Sequence, residues 1–578
     1  MSFLRSRKRR TYRDVDPDEI FMDSKNLPQF DTHQFEGVIE QPIRRGSVRA
    51  MGIVFSVVGI LFAWKAYALQ VKNGETFFNR SVNNSLSPTP VLADRGVIYD
   101  RNGVELAWNE PNPEDPDILL RAYIREAGFA HVLGYVTHPQ KDSKGNYWQK
   151  DYIAKGGVEL IYDEKLRGES GVKMIERDAL GNVESNSLLS PAKPGDNLRL
   201  SIDARLQHNL YKAVKSTADE AEMKGGAAAL MDPYTGEIYA LVSYPEYDPE
   251  VMSRGKDKAA ISSYLTNKQN PFINRALSGL YTPGSIVKPF FALAALKEGV
   301  VTPSTQIYSA GSIAVPNPFF PGKETVFKDW KAHGWMDMRR AIAVSSDVYF
   351  YEVGGGFEKQ RGIGIANIGK YSREFGIAEK TGIDLPGDTT GVIPDPEWKK
   401  KVFDGDIWRV GDTYNTSIGQ YGFQVTLVQM LRAVAALANH GTMITPHVVT
   451  DGVATFQESK LNFPSDYYEV TDAGMRAAVT EGTAGPLNLP YIDVSAKTGT
   501  AQVGAYNQFV NSWSIGFFPS DKPALAFAVL MEGAPATNKI GASWVMQKML
   551  DYMHTETPEY LDYDKLQESK NSVKLAGQ

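Results

Sequence analysis

One stretch of this chain limits its architecture more than any other. Residues 48–69 read VRAMGIVFSVVGILFAWKAYAL, and 50–64 carry no charge. About 20 residues of this kind cross a bilayer as a helix. Lys65 stands where its ammonium can snorkel to the interface, and Trp64 and Tyr67 suit a headgroup belt. The run starts too late for a cleavable signal peptide, and no small-x-small site follows it. Charge sets the orientation. Arg5, Arg7, Lys8, Arg9, Arg10 and Arg13 crowd the first residues, and Arg44, Arg45 and Arg49 abut the span. The positive-inside rule keeps that short side in the cytoplasm. No later segment is long and apolar enough to span again, so everything after about residue 70 is expected outside the cytoplasmic membrane. The cytoplasmic piece 14–41 is acidic, bears Pro and is weakly periodic, the texture of a disordered or partner-binding tail.

What lies outside is too large for one core. At 578 residues, 42% hydrophobic and 22% charged, the chain is expected to form about two to four folded units of ordinary globular texture. A formal net charge of -6 argues against nucleic acid as a partner. The absence of cysteine excludes disulfide frameworks and cysteine zinc sites. The eight histidines show no His-Glu-x-x-His pattern. Gly362, Gly364 and Gly369 lack the spacing of a dinucleotide loop. No metal and no cofactor are expected. Asn83-Asn84-Ser85 and Asn415-Thr416-Ser417 match a glycosylation pattern that chance supplies.

The exported part divides by texture. Residues 70–197 mix strand and turn signals, including the β-type run Arg95-Gly96-Val97-Ile98-Tyr99-Asp100-Arg101-Asn102-Gly103 closed by an Asn-Gly turn. They also include Gly156-Gly157-Val158-Glu159-Leu160-Ile161-Tyr162. The breaker run Pro191-Ala192-Lys193-Pro194-Gly195-Asp196 marks a boundary. From 198 a strand (198–202) leads to a helix (203–221) with Leu206, Leu210 and Val214 at helical spacing. A hairpin follows, 226–231 and 237–242, around Asp232-Pro233-Tyr234-Thr235-Gly236. Helices and loops fill the chain to about 480. Strands return at 495–503, 512–518 and 524–531, and a helix over 543–554 closes the domain. Strands at both ends with helices between them predict an α+β sheet whose first and last strands meet. The expected division is a cytoplasmic tail (1–47), a transmembrane helix (48–69), a mainly β segment (70–197), an α+β domain (198–555) and a loose charged tail (556–578).

Chemistry concentrates in that α+β domain. In Tyr281-Thr282-Pro283-Gly284-Ser285-Ile286-Val287-Lys288-Pro289, Pro-Gly marks a turn and the apolar run 290–296 reads as a buried helix starting near Ser285. Residues three apart share a helix face. Desolvation disfavours a charged Lys288 there, and a neutral amine takes a serine proton. A helix start adds N–H groups for developing negative charge. Pro289 removes the helical bond to the Ser285 carbonyl, so the first turn is irregular or the helix begins later. Ser-x-x-Lys by itself is common and reads equally as a plain helix start. Ser345-Ser346-Asp347 follows a helix over 338–344. Lys497-Thr498-Gly499-Thr500 lies on the first strand of the final sheet, where an ammonium and two hydroxyls suit a carboxylate and Gly499 lets a substrate backbone approach. Ser-x-x-Lys, Ser-x-Asp and Lys-Thr-Gly in that order are far more specific than any one alone. No Gly-x-Ser-x-Gly surrounds Ser285, against an α/β-hydrolase.

On these motifs the chain resembles the class B penicillin-binding proteins, the peptidoglycan transpeptidases. The resemblance covers nearly everything after residue 48. It extends to GAAALMDPYTGEIYALVSYP over 226–245, Thr381-Gly382-Ile383-Asp384-Leu385-Pro386-Gly387, Gly411-Asp412-Thr413 with Ile418-Gly419-Gln420, and Ser512-Trp513-Ser514-Ile515-Gly516-Phe517. Arg95–Gly103 resembles the first motif of that family's non-catalytic pedestal, of the dimerisation type. Trp408 ahead of Gly411 resembles the elongation type rather than the division type.

The resemblance implies a serine β-lactamase/transpeptidase-like fold, an antiparallel five-stranded sheet flanked by helices. It implies acylation at Ser285 with Lys288 as general base, proton relay through Ser345, and electrostatic support from Lys497. Thr498 and Thr500 would bind a terminal carboxylate, and the N–H groups of Ser285 and Thr500 would form an oxyanion hole. It implies a D-alanyl-D-alanine stem peptide as donor, the amine of a neighbouring stem peptide as acceptor, β-lactams as inhibitors, and a SEDS-type membrane glycosyltransferase as partner. A carboxypeptidase or β-lactamase would use the same residues. A different class of reading is a β-lactam sensor or a scaffold activating that glycosyltransferase. Three features depart from the family pattern. Asp347 stands where Asn is usual, and an ionic contact to Lys288 would oppose its neutrality. Gly-Gln-Gly becomes Gly419-Gln420-Tyr421-Gly422. The stretch between Gly103 and Gly157 is short for a pedestal head.

Overall fold

The computed structural model describes residues 45–77, 86–143, 147–177, 183–317, 319–450, 458–504 and 508–576. The expected cytoplasmic tail as far as residue 44, and the Asn83-Asn84-Ser85 pattern, lie outside the described residues. The chain divides into two units, Met1–Ser87 and Pro88–Gln578. The first contains helix α1, Arg45–Tyr67. Its 23 residues rise about 35 Å, enough to cross the hydrocarbon of a bilayer. The apolar stretch Gly46–Lys72 buries none of its surface, and Phe55, Phe62 and Trp64 stand open on it. Among the described residues it is the one helix long and apolar enough to cross a membrane.

The second unit begins with the β-rich segment. β1, Ile98–Tyr99, and β2, Glu105–Glu110, form the expected hairpin. Asp100 Oδ1 closes its turn, accepting from the backbone N–H of Asn102 at 2.7 Å and of Val104 at 2.8 Å. β3, Leu120–Tyr123, extends the sheet antiparallel. The short helix α2, Gly157–Ile161, carries Glu159 to two arginines. Arg95 Nε stands 2.6 Å and Arg121 Nε 2.8 Å from its carboxylate, and Arg95 Nη1 also reaches Asp163 at 2.7 Å. Burial alone would raise the Glu159 carboxyl, but Arg121 and Arg95 overcome it and hold the group below the usual range. β4, Leu198–Arg199, then pairs parallel with β1, giving the order β4-β1-β2-β3. The boundary expected at 197 and 198 therefore falls inside this sheet. Leu198 pairs with Ile98 and both are fully buried, which draws the strand back before Leu200 bridges Val449 in the next layer.

Asp203 caps α3, Ala204–Glu220, by accepting from the N–H groups of Arg205 and Leu206. The hairpin of β5, Gly225–Met231, and β6, Ile238–Tyr244, follows. Helices α4, Lys288–Lys297, α5, Met338–Val344, α6, Asp347–Gly355, and α7, Leu427–Ala438, occupy the middle of the chain. β7, Ser495–Val503, β8, Phe509–Phe518, and β9, Leu525–Pro535, complete an antiparallel sheet in the order β6-β5-β9-β8-β7. The first and last strands meet as expected, Gly226 opposite Met531. Alternation along β5 feeds two cores. Ala227, Ala229 and Met231 join residues of α4 and α7, whereas Ala228 and Leu230 join those of α3 and the closing helix α8, Ala542–Glu556.

The tail from 556, expected to be loose, is built into the fold. A 3-10 turn, Pro558–Leu561, and helix α9, Tyr563–Ala576, follow α8. Tyr560 donates to Asp203 at 2.6 Å, Lys570 pairs with Asp232, and Leu566 is buried. Its charges read as solvated because the buried carboxylates that receive them lie more than 300 residues away in sequence.

Candidate active site

The three motifs converge beside edge strand β7. Pro289 cannot donate to the Ser285 carbonyl, and the chain answers with a 3-10 turn, Gly284–Val287, in which the Lys288 N–H makes that bond. α4 starts at Lys288. Side chains three apart eclipse in a 3-10 turn, so Ser285 and Lys288 share one side more closely than an α-helix would allow. Ser285 is half-buried, and its hydroxyl makes no hydrogen bond among the described residues. Lys288 is fully buried.

The Lys288 amine faces three acceptors. Asp347 Oδ1 lies at 2.6 Å, the Ser345 carbonyl at 2.9 Å and Ser345 Oγ at 3.4 Å. The carbonyl and the carboxylate can only accept, and Asp347 makes an ion pair with the lysine. Desolvation was expected to favour a neutral Lys288, and the structure instead gives that lysine an ion pair. Burial acts most clearly on the second lysine. Lys497 Nζ donates to Ser345 Oγ at 2.9 Å and to the Thr498 carbonyl at 2.7 Å, and among the described residues no carboxylate pairs with it. Complete burial, and then the positive charge of Lys288, push its pKa far below the usual lysine value, with Asp347 opposing.

Ser345 therefore sits between two amines. It caps α5 at φ +57°, ψ +43°, the left-handed region. A serine held there costs roughly 1–3 kcal/mol and persists because its surroundings dictate it. That conformation turns both its carbonyl and its hydroxyl toward the lysines.

β7 supplies the other wall. It ends the sheet order, so one edge is open to an extended peptide. Gly499 is required by proximity. A Cβ there would stand 2.9 Å from the Pro283 carbonyl oxygen and from Ile286 Cγ2, forcing the strand off the Ser285 turn. Thr498 Oγ1 meets Thr483 Oγ1 at 2.6 Å. A groove of about 1240 Å³ is lined by Ser285, Ser345, Asp347, Thr498, Gly499 and Thr500, among others. The arrangement offers a hydroxyl, two buried amines bridged by a second hydroxyl, and a carboxylate-sized polar strand edge. Those are the parts of an acyl-transfer site.

The model of the Penicillin binding protein transpeptidase domain matches residues 226–550, and that of the Penicillin-binding Protein dimerisation domain matches 118–200. The chain belongs to the penicillin-binding protein transpeptidase family. A curated relative, the peptidoglycan D,D-transpeptidase MrdA of Acinetobacter baumannii, is 31% identical over 85% of each chain. The crystal structure of Pseudomonas aeruginosa PBP2 in complex with WCK 5153 has TM-score 0.68 and 29% identity, covering 83% of this chain and 99% of the other. A structure described as structural coordination of polymerization and crosslinking by a peptidoglycan synthase complex has TM-score 0.67 and 25% identity, covering 88% and 98%.

All eight residues singled out from this transpeptidase's sequence gather here: Ser285, Lys288, Ser345, Asp347, Lys497, Thr498, Gly499 and Thr500. Sequence reading missed Asp329 and Trp330 from the loop before α5, Thr483, and Trp544 at the start of α8, which line the same groove. Asp329, Trp330 and Thr483 lie in stretches without periodicity or motif, and Trp544 lies in the expected closing helix, where no motif marked it for the site.

Proposed function

We infer that the chain is a serine-type peptidoglycan D,D-transpeptidase in which Ser285 is the acylated nucleophile. The observation that carries the assignment is Ser345 Oγ standing 2.9 Å from Lys497 and 3.4 Å from Lys288. A proton leaving Lys288 passes through that hydroxyl to Lys497, the amine that burial keeps poor in protons. Neutral Lys288 then takes the Ser285 proton, and Ser285 Oγ attacks the carbonyl of the penultimate D-alanine. The Ser285 and Thr500 N–H groups hold the oxyanion. Ser345 gives its proton to the leaving D-alanine nitrogen as the C–N bond breaks and takes back from Lys288 the proton that came from Ser285. Thr498 and Thr500 hold the terminal carboxylate, with Lys497 now positive beside it. The amine of a neighbouring stem peptide attacks the acyl-serine and gives up a proton to Lys288, which returns it to Ser285 Oγ as the ester C–O bond breaks, leaving the cross-link and free Ser285. β-Lactams acylate the same serine.

The helix α1 anchors the chain in the cytoplasmic membrane by a single pass. Arginines 5–13 and 44–49 keep the N-terminus cytoplasmic, and the catalytic domain lies on the other side of the membrane, where cell-wall peptide is found. Trp408 ahead of Gly411-Asp412-Thr413 supports a role in elongation and cell shape. A SEDS-type glycosyltransferase is the partner, a role favoured by the synthase-complex structure that this chain resembles over 88% of its length. Activation of that partner is compatible with catalysis.

Labelling of membranes with a fluorescent penicillin tests the nucleophile. Wild type is expected to form an adduct that persists for many minutes, and Ser285→Ala none. Labelling of folded Ser285→Ala would overturn the assignment, and rapid loss of the adduct would indicate a β-lactamase. Cross-linking of stem peptides by the purified chain tests the acceptor step.

A further inference from the structure

We propose that Asp329 is a positioning residue for the transfer reaction, acting through the turn that carries Ser345 and Asp347. It lies between β-hairpin Ser312–Pro316/Glu324–Lys328 and α5, in Lys328-Asp329-Trp330-Lys331, and it belongs to none of the three motifs. The loop is at the surface and Trp330 is open to solvent, yet the Asp329 side chain has no exposed area.

Its bonds converge on the turn. Asp329 Oδ2 accepts from Ser346 Oγ at 2.7 Å and from the Val348 N–H at 3.0 Å, with Ser309 Oγ at 3.4 Å. Oδ1 accepts from the Trp330 N–H at 2.8 Å, and His333 Nε2 stands 3.5 Å away. Ser346 Oγ in turn accepts from the Tyr349 N–H at 3.3 Å. The first N–H groups of α6 have no intrahelical partner. Ser346 caps one of them locally, and Asp329 caps another from a distant segment while orienting Ser346 itself. A carboxylate is also the charge a helix N-terminus favours.

The consequence reaches the site through one residue. Ser345 is left-handed and strained, and it immediately precedes the residue Asp329 grips. Asp347 lies between the two gripped positions, Ser346 and Val348. Holding 346 and 348 fixes where the Ser345 hydroxyl meets Lys497 and where the Asp347 carboxylate meets Lys288. Asp329 touches neither lysine. It sets the geometry of the groups that do, and catalytic geometry lost by even about 1 Å costs on the order of 100-fold.

This proposal rests on the reading of Ser285 as nucleophile. The test uses the full chain in detergent and resolves noncovalent penicillin binding from the first-order acylation step. Asp329→Ala is expected to slow acylation about 100-fold and Asp329→Asn about 10-fold, the range of a lost charged hydrogen bond. Noncovalent binding is expected to stay within about threefold, because the Thr498 and Thr500 edge is untouched. A double-mutant cycle with Ser346→Ala reads the route. The paired variant is expected within about twofold of the Asp329 variant alone, because both act through one turn. Where Asp329→Ala fails to fold, the cycle is run on Asp329→Asn, with melting temperature confirming the fold. Folded Asp329 variants acylating at the wild-type rate, or effects that multiply independently, overturn the proposal. Those outcomes leave the nucleophile reading intact, which fails only if Ser285→Ala still labels.

Discussion

Two buried charge clusters in this molecule are built to opposite rules. In the pedestal, Arg95 and Arg121 share Glu159, and Asp163 adds a second carboxylate to Arg95. The two buried cations meet two carboxylates, and half-exposed Arg167 lies 3.6 Å from the second. In the active site, Lys288 and Lys497 meet Asp347 alone. Exposure does not distinguish them, since Arg121, Glu159, Lys288 and Lys497 are all fully buried. Chemistry does. A guanidinium keeps its proton at any physiological pH, so the pedestal must supply counter-charge and then stays fixed. An amine can release its proton when charge is under-compensated, and here Lys497 is driven toward that form. The same cost of burial yields a structural rivet in one region and a proton acceptor in the other.

The largest expected break in this comparison is Lys288→Gln. It keeps a polar donor on a side chain one atom shorter and cannot take a proton. Acylation of Ser285 by the folded fraction is expected to fall about 1000-fold, within the range for a lost general base. Rate constants for penicillin labelling check it, and a loss below tenfold would remove Lys288 from the role. Glu159→Gln is the counterpart. It leaves buried Arg121 without a carboxylate and Arg95 with Asp163 alone, and is expected to destabilise the chain by roughly 3–5 kcal/mol in denaturant unfolding. Acylation by the folded fraction should remain at the wild-type rate. A slowed reaction there would mean that the pedestal tunes the site.

A pH series sharpens the contrast at Lys497. Its native pKa is depressed, so between that value and the ordinary lysine value the unfolded chain binds a proton that the native chain does not. Stability conferred at this position therefore rises with pH across that window and is lost as pH falls. Compared with Lys497→Met, the wild type is expected to gain about 1.4 kcal/mol per pH unit in unfolding free energy within the window. The comparison is made by denaturant midpoints at pH 8 and 10. A gap independent of pH would show a protonated native Lys497 and would remove the acceptor from the relay.

The site was more legible in the sequence than what supports it. Ser285, Lys288, Ser345 and Lys497 were readable because their spacing carries a chemical demand, and β7, β8 and β9 because alternation and Pro-bearing turns mark them. Asp347 was readable as an ionic contact of Lys288 only through its motif, since 59 positions separate the two. Nothing in the sequence marked the buried pair of Glu159 and Arg121, which stand 38 positions apart. α9 looked loose for the same reason. In each case the deciding partner is remote in sequence, and local pattern holds no record of it. Leu198 shows the converse, where a correct strand was placed on the wrong side of a boundary because its pairing with Ile98 spans 100 residues.

The smallest effect tests whether counter-charge or residue type makes the difference. Asp163 is about a quarter exposed and lies 2.7 Å from Arg95, with half-exposed Arg167 at 3.6 Å. Asp163→Asn keeps an oxygen for Arg95 and removes one negative charge. Because solvent screens this carboxylate, the expected cost is about 1 kcal/mol or less in unfolding free energy. A cost equal to that of Glu159→Gln would mean that neutrality of the whole cluster, rather than the buried carboxylate, holds the pedestal. No cost would mean that Glu159 alone answers both arginines. The pedestal would then run on two cations and one anion, the same count as the active site. Only the difference between guanidinium and amine would remain to explain why one cluster is fixed and the other can move a proton.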